Sequence, residues 1–405
     1  VFPFRPRAMF SHLTPYAGDP ILSLVEAFSQ DPRSDKTNLA IGVYCDENGR
    51  LVLPEAVRRA AEALPAAALS YAPMEGYAAF RQAAAQMLFG SGHAVIREGR
   101  LATAQTLGGS GALKLGADLL RETLADARAY VSDPTWDNHR GIFAGAGFSV
   151  ADYPYYRAET AKLDFAALTA FLDTLPAHSV VLLHPCCHNP TGIDPTPAQW
   201  DEILALMARR RLIAFMDLAY QGFGSGFDDD AYAVRRAADI GLPLLVSYSF
   251  SKNMSLYAQR VGLLAVVCPD RAQAGLVQGR LKAAVRRIYS SPPAYGALLA
   301  QAVLTDDALK GQWQDEVAAM RSRIGAMRQA LYDALAGSAA WQQDAARFVR
   351  QRGMFGYTGL NAEQVQRLRR DYGIYLPASG RLCIAGLNPD NLDNTAAALI
   401  AVKAA

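Results

Sequence analysis

Long hydrophobic runs are missing from this 405-residue sequence: its apolar stretches, such as Val180–Leu183 and Gly262–Cys268, fall far short of the ~18 residues that span a bilayer. A membrane helix is therefore excluded. Charge of one sign is equally scarce. Forty Lys and Arg stand against 38 Asp and Glu, a net charge of +2, which lacks the strongly basic footprint of a nucleic-acid binder. Cysteine is sparse and odd in number, at Cys45, Cys186, Cys187, Cys268 and Cys383. The adjacent pair is poorly placed to bond within a strand, so a reducing cytoplasm is the expected compartment. Neither an internal repeat nor a low-complexity segment is present.

What is abundant is apolar side chain, at 51% of residues with only 19% charged. That suits large cores, and the length suits two or three domains. Val1–Ala8 carries Arg5 and Arg7 without an apolar segment or cleavage pattern, and reads as an extension ahead of Met9, within an N-terminal arm over 1–19.

Helix and strand signals alternate, which predicts an α/β protein with a largely parallel sheet covered on both faces. Asp19 and Pro20 read as the cap and first position of a helix bearing Ile21, Leu22, Val25 and Phe28 on one stripe. Leu39–Tyr44 reads as a strand. A helix is expected over Ala112–Arg128, with strands at Ala129–Ser132, Ser179–His184, Leu212–Asp217, Leu244–Ser249 and Gly262–Cys268. After Pro292 and Pro293 a second domain of long helices follows, with an apolar stripe at Val317, Met320, Ile324, Met327, Leu331 and Leu335. An extended piece at Gly373–Leu376, a strand at Leu382–Ala385 and a helix from Asp390 complete it.

Three stretches carry chemistry. Gly108, Gly109 and Ser110 open a helical pattern and offer backbone N–H groups and a hydroxyl to a phosphate, although a plain glycine turn fits that segment equally. Lys252 follows a buried strand, beside Ser249 and Ser251. Burial there lowers a lysine's pKa and frees its amine to attack an aldehyde, and Arg260, eight residues on, suits a phosphate on the same ligand. Asp217 ends another strand and is either a helix cap or the partner of a buried cation, such as a protonated pyridine nitrogen. With Asn189 and the aromatic Trp136, the set contains a Schiff-base lysine, a pyridinium partner, a stacking ring and a phosphate cup. These point to pyridoxal phosphate.

Four motifs in order, His188-Asn-Pro-Thr-Gly192, Asp217-Leu-Ala-Tyr-Gln-Gly-Phe223, Ser251-Lys-Asn253 with Arg260, and Ser379-Gly-Arg-Leu-Cys-Ile-Ala-Gly386, resemble the class I pyridoxal-phosphate aminotransferases, in the branch of the aspartate and aromatic-amino-acid enzymes. The resemblance covers essentially everything after Met9. It implies fold type I, with a large cofactor-binding domain over 52–314 and a smaller α/β domain made of 20–51 with 315–405. Lys252 would hold the cofactor and shuttle a proton, Asp217 would keep the ring nitrogen protonated with His139 behind it, and Tyr220 and Asn189 would bond the ring oxygen. Trp136 would stack on the ring. Gly109, Ser110, Ser249, Ser251 and Arg260 would surround the phosphate, joined by Tyr71 from a neighbouring subunit, which implies a homodimer with shared sites.

The resemblance also assigns Arg381 to the substrate α-carboxylate and Arg286, across the dimer, to a second carboxylate. Gly42, Trp136, Asn189 and Ser291 complete the substrate set. Aspartate-preferring relatives carry longer polar residues where this chain has Cys45, Leu51, Ser70, Ser110 and Ser291. A drier pocket follows, so tyrosine and phenylalanine are the expected donors with 2-oxoglutarate as acceptor, aspartate is secondary, and a broad aspartate aminotransferase is the alternative. A C–S lyase or decarboxylase shares the cofactor chemistry, but the paired arginines favour amino-group exchange. Only 18 residues precede Asp19, too few for a DNA-binding module. His184, Cys186, Cys187 and His188 suggest a metal cluster only briefly, since Pro185 argues against a helix that would bring the histidines together; no metal is expected. His12, His93 and His178 are expected to face solvent, and Asp228–Asp230 to form a solvated loop.

Overall fold

The computed structural model describes residues 10–16, 18–64 and 70–404. The expected extension Val1–Ala8, with Met9, lies outside the described residues. The centre is a seven-stranded sheet of β1 (Leu101–Leu107), β2 (Ala129–Asp133), β3 (Val150–Pro154), β4 (Val180–Leu183), β5 (Ile213–Leu218), β6 (Leu244–Ser249) and β7 (Val261–Val267). The spatial order is β1-β7-β6-β5-β4-β2-β3. Neighbours run parallel from β6 to β3, and only β7 is antiparallel to both β1 and β6.

The continuous apolar runs have a simple cause. Along β5, Ala214, Met216 and Leu218 enter one core while Ile213 and Phe215 enter the other, and β6 and β7 divide in the same way. A strand buried on both faces needs apolar residues at every position, because successive side chains point to opposite sides. Against these faces pack α2 (Gly108–Thr123) and α3 (Arg271–Ile288), while α1 (Leu22–Gln30), α4 (Asp307–Ala336) and α5 (Pro389–Ala404) lie towards the ends of the chain. Gly116 on α2 lies so close to the sheet that a Cβ there would stand 2.5 Å from the Phe215 ring. Among the described residues no helix is long and apolar enough to cross a membrane.

The Asp19 cap forms as expected, with its Oδ1 accepting from the N–H groups of Ile21 and Leu22, both at 2.8 Å. Asp306 caps α4 by accepting from Ala308 and Leu309 at 2.9 Å, and most of the expected stripe on α4 is buried.

Several expectations need correction. Leu39–Tyr44 is not a strand; only Thr37–Asn38 pairs, in parallel with Ile374–Tyr375, followed by an isolated bridge between Cys45 and Leu51. Side chains satisfy part of the intervening backbone instead: Arg381 donates to the Ala40 carbonyl at 2.8 Å, and the Tyr44 N–H donates to the Tyr257 hydroxyl at 2.9 Å. The helix expected to run to Arg128 ends at Thr123. Strands β1 and β3 were not foreseen, and Leu382–Ala385 divides into an extended Arg381–Cys383 and a short 3₁₀ turn at Ile384–Gly386.

Asp228–Asp230 is a short helical turn at Phe227–Asp230 rather than a solvated loop. Asp230 is buried and accepts from the N–H groups of Gly222, Gly224 and Ser225, so it ties the preceding loop together. His93 is half-buried, accepts from the Val95 N–H as a helix cap and lies 3.1 Å from Asp239.

Candidate active site

The carboxyl ends of β5 and β6 and the turn between β1 and α2 open on a cavity of about 480 Å³, where an open α/β sheet generally binds its ligand. Lys252, Asp217, Tyr220, Asn189, Trp136 and Arg381 all line it. The three chemical stretches, far apart in sequence, thus share one space.

At its floor, Asp217 Oδ2 lies 3.1 Å from His139 Nε2, and Oδ1 accepts from the Ser247 hydroxyl at 3.2 Å. His139 Nδ1 is 2.8 Å from the Thr135 hydroxyl, which fixes the imidazole from behind. Burial by itself raises a carboxyl pKa, but here the hydrogen bond and charge of His139 outweigh it and hold Asp217 below its ordinary value. The result is a buried carboxylate kept ionised.

The Lys252 amine lies 5.6 Å from the centre of the Tyr220 ring. Burial, then the nearby Arg260, pushes its pKa down to about 8, so much more of the amine is neutral near pH 7 than for a free lysine. The Tyr220 phenol is pushed up, chiefly by burial.

Phosphate-binding geometry gathers at the start of α2. Gly108 adopts φ +66°, donates its N–H to the Arg260 carbonyl at 3.0 Å, and a Cβ there would stand 2.7 Å from Arg260 Nη2. Only glycine meets both demands. Arg260, itself at φ +52°, is steadied by donating to the Ser251 hydroxyl at 3.3 Å and the Tyr257 carbonyl at 3.1 Å, while Ser249 Oγ accepts from the Ser251 N–H. Gly109, Ser110, Ser249, Ser251 and Arg260 line one side of the cavity. A helix N-terminus, three hydroxyls and a guanidinium form a donor set suited to a phosphate dianion.

Arg381 forms the opposite wall. Its side chain is buried, donates to Asn189 Oδ1 at 3.2 Å and to the Ala40 carbonyl, and lies 4.1 Å from the centre of the Phe355 ring. Its Nε has no protein partner. A buried guanidinium with an unused donor, and no carboxylate bonded to it among the described residues, is suited to an incoming carboxylate. Gly42 also lines the cavity, and a Cβ there would stand 2.5 Å from Phe355 Cζ.

Three expected residues do not reach the cavity within one chain. Tyr71 is 94% exposed, Arg286 is exposed and donates to the Ser290 hydroxyl, and Ser291 is half-buried outside the lining. His139 is also off the surface, fully buried behind Asp217. Tyr257 and Phe355 were missed, although both line the cavity. Tyr257 stands five residues beyond Lys252, in the stretch leading to Arg260, and Phe355 lies in a glycine-flanked Gly353-Met-Phe-Gly356, which were the available signals.

The two histidines that Pro185 was expected to separate do meet, with ring centres 4.4 Å apart. The chain turns rather than running as a strand, with Cys187 at φ +52°. His188 is engaged on both ring nitrogens, by Ser132 at 2.9 Å and Thr191 at 2.8 Å, while His184 has no partner and burial pushes its pKa down to about 3. The cysteines do not join them: among the described residues the grouping with metal-ligand spacing is His139, His184 and Asp217, and two of its members bond each other.

The family model for aminotransferase class I and II matches residues 34–399. The chain belongs to this family. It is 53% identical to the tyrosine aminotransferase of Klebsiella pneumoniae and 54% identical to the aromatic-amino-acid aminotransferase of Escherichia coli, in each case over 397 residues, 97% of this chain and 100% of the relative. Among solved structures, the aromatic-amino-acid aminotransferase of Burkholderia pseudomallei, covalently bound to pyridoxal phosphate, superposes with a TM-score of 0.93 at 44% identity, over 97% of this chain and 99% of that one. The sheet and cavity are therefore those of an aminotransferase with a fold type I architecture.

Proposed function

We propose that this aminotransferase uses pyridoxal phosphate to exchange amino groups between aromatic amino acids, tyrosine and phenylalanine, and 2-oxoglutarate in a ping-pong cycle. The observation that carries the reading is the convergence of Lys252, the Asp217–His139 pair and the buried Arg381 on one cavity. The donor set fits the cofactor at both ends, with Asp217 for a ring nitrogen and Gly109, Ser110, Ser249, Ser251 and Arg260 for a phosphate. Bound there, pyridoxal phosphate supplies an aldehyde for amines and a protonated ring that accepts electron density.

Everything else is done by the chain. Lys252 would hold the cofactor through its amine and would move a proton to and from the substrate Cα; its lowered pKa suits both tasks. Asp217, held by His139 and Ser247, would keep a proton on the ring nitrogen by offering it an ionised carboxylate. Tyr220 and Asn189 would bond the ring oxygen, and Trp136 would cover the ring. Arg381 clamps the α-carboxylate and thereby orients Cα towards the lysine.

Aromatic preference rests on the apolar part of the lining, Ile21, Leu22, Ile41, Val43 and Leu113, where burying a ring contributes roughly 2–3 kcal/mol. Of the short or apolar Cys45, Leu51, Ser70, Ser110 and Ser291, only Ser110 lines the cavity, while Cys45 and Leu51 line a separate hollow; the aromatic-amino-acid enzymes among the relatives support the same preference. The arginine pair Arg381 and Arg286 favours a second reading, a broad aspartate aminotransferase, and keeps aspartate as a secondary donor.

The exposure of Tyr71 and Arg286 supports a homodimer in which these residues complete the neighbouring site. Residues 20–51 with 315–405 make the small domain and 52–314 the large one, a division supported by the pairing of Thr37–Asn38 with Ile374–Tyr375. Five unpaired cysteines support a cytoplasmic setting.

The test is a half-reaction. The cofactor-loaded protein is mixed with tyrosine, phenylalanine or aspartate without a keto acid, and the absorbance of the bound cofactor is followed. Faster conversion by the aromatic donors is expected. Dominance of aspartate would establish the second reading, and no conversion with any donor would overturn transamination.

A further inference from the structure

A second cavity, of about 240 Å³, lies apart from the first, between α4, the loop after Tyr220 and the segment leading to Phe355. Three arginines line it: Arg321 and Arg328 from α4 and Arg352 from the far wall. No carboxylate does so among the described residues, and none forms an ion pair with any of the three. The acids nearby are already engaged, since Asp230 accepts from three backbone N–H groups and Asp194 from those of Cys187 and His188. Three like charges thus share a small space in which no carboxylate bonds them, although Arg321 lies in the field of Asp230, and Arg352 and Arg328 in that of Asp194.

Each guanidinium is nonetheless fixed by a neutral acceptor. Arg321 Nη1 donates to the Gly222 carbonyl at 2.5 Å, and Arg352 Nη1 donates to the Ser225 hydroxyl at 2.7 Å. One bond apiece sets the orientation and leaves most of the five N–H groups of each fork for a ligand. Arg328 is 5% exposed, and its Nη atoms donate to the carbonyls of Phe348, Gly353 and Phe355, while its Nε has no partner. It contributes a buried positive charge behind the two accessible forks.

We infer that this cavity binds a small dianionic oxyanion, phosphate or a phosphate monoester, between Arg321 and Arg352, in the field of Arg328. Two orientable forks match the several oxygens of a phosphate better than a single carboxylate, and the cavity is large enough for a short organic group on the phosphate. Its walls lead directly into the catalytic cavity: the Gly222 loop begins at Tyr220, Arg352 donates its N–H to the Gly192 carbonyl at 2.6 Å, and Phe355 lies three residues beyond Arg352. An anion here links the segments that carry Tyr220, Asn189 and the ring beneath Arg381.

The test uses the cofactor-loaded protein, in which the first phosphate site is already filled. Inorganic phosphate and glycerol phosphate are titrated separately by calorimetry at constant ionic strength in chloride, against the wild type and the Arg321→Ala, Arg352→Ala and doubly substituted variants. One site per chain is expected in the wild type, weakened about tenfold by each single substitution and lost in the double variant, whose cofactor absorbance stays unchanged. Tighter binding of glycerol phosphate than of inorganic phosphate identifies a monoester site; the reverse identifies a site for the free anion. Absence of binding by either probe at 20-fold above a ~1 mM dissociation constant, or binding that survives the double substitution, overturns the inference.

Discussion

Arg381 and Arg286 are both arginines assigned to substrate carboxylates, yet the chain treats them in opposite ways. Arg381 is buried, bonded to Asn189 and the Ala40 carbonyl and backed by the Phe355 ring. Arg286, near the end of α3, is exposed and held only by the neighbouring Ser290 hydroxyl. Every amino-acid substrate has an α-carboxylate, so its receptor can be rigid. The second carboxylate is present in some substrates and absent from others, so its receptor must be free to leave. On the proposed assignment, side-chain freedom would be the means of accepting two substrate classes at one cavity.

Three changes sharpen or break this contrast. The largest effect is expected from Arg381→Lys, which removes the fork and keeps the charge: kcat/KM should fall on the order of 10²-fold or more for aromatic and dicarboxylic donors alike. A loss confined to one class would refute a common clamp. Arg286→Leu should lower kcat/KM for aspartate and 2-oxoglutarate roughly 10- to 100-fold while leaving phenylalanine within about threefold, read from single half-reactions. Equal losses for both classes would show that Arg286 is no selective receptor. The smallest change should come from Tyr257→Phe, which removes the hydroxyl that accepts from the Tyr44 N–H. A stability loss of about 1 kcal/mol in denaturant titration is expected; an unchanged midpoint would remove this bond as a fixing of the 40–44 segment.

Acidity tests the buried floor beneath Arg381, which has no counterpart around the exposed Arg286. The folded-state pKa of His184 is about 3 against ~6.5 in an unfolded chain. Between these values the unfolded chain binds the extra proton, so stability is intact above about pH 6.5 and falls with decreasing pH, by up to ~1.4 kcal/mol per unit from this group. His184→Asn should flatten that slope in pH-dependent unfolding; an unchanged slope would remove His184 as its source. Lys252 predicts the opposite limb for cofactor capture. Cofactor-free protein should bind the aldehyde faster as pH rises towards about 8, and Lys252→Ala should show neither covalent capture nor transamination.

The strands of the sheet were readable because burial on both faces leaves a continuous apolar run, and Lys252 and Asp217 were readable because each breaks such a run at its end. β1 was hidden by its composition, since Thr103 and Gln105 alternate with Ala102 and Ala104 and Thr106 follows, although all are buried. Leu39–Tyr44 has a strand's composition, but the Ala40 carbonyl and the Tyr44 N–H are taken by Arg381 and Tyr257, partners more than 200 residues away that no local pattern can reveal. Asp230 looked solvated because the run of three acids is polar, whereas its acceptors are filled by a loop that the sequence alone does not fold. The convergence of the site residues was legible through resemblance; Tyr257, Phe355 and the meeting of His184 with His188 required coordinates.

The absence of a ladder across residues 40–44 has a consequence for how substrate preference can change. This wall of the cavity hangs largely from side chains, Arg381 on the Ala40 carbonyl, Cys383 on the Val43 carbonyl and Tyr257 on the Tyr44 N–H, and its far side faces a separate hollow lined by Cys45 and Leu51. A substitution on that far side would reach the space offered to a substrate through this segment without touching Lys252 or Asp217, which line the cavity from other elements.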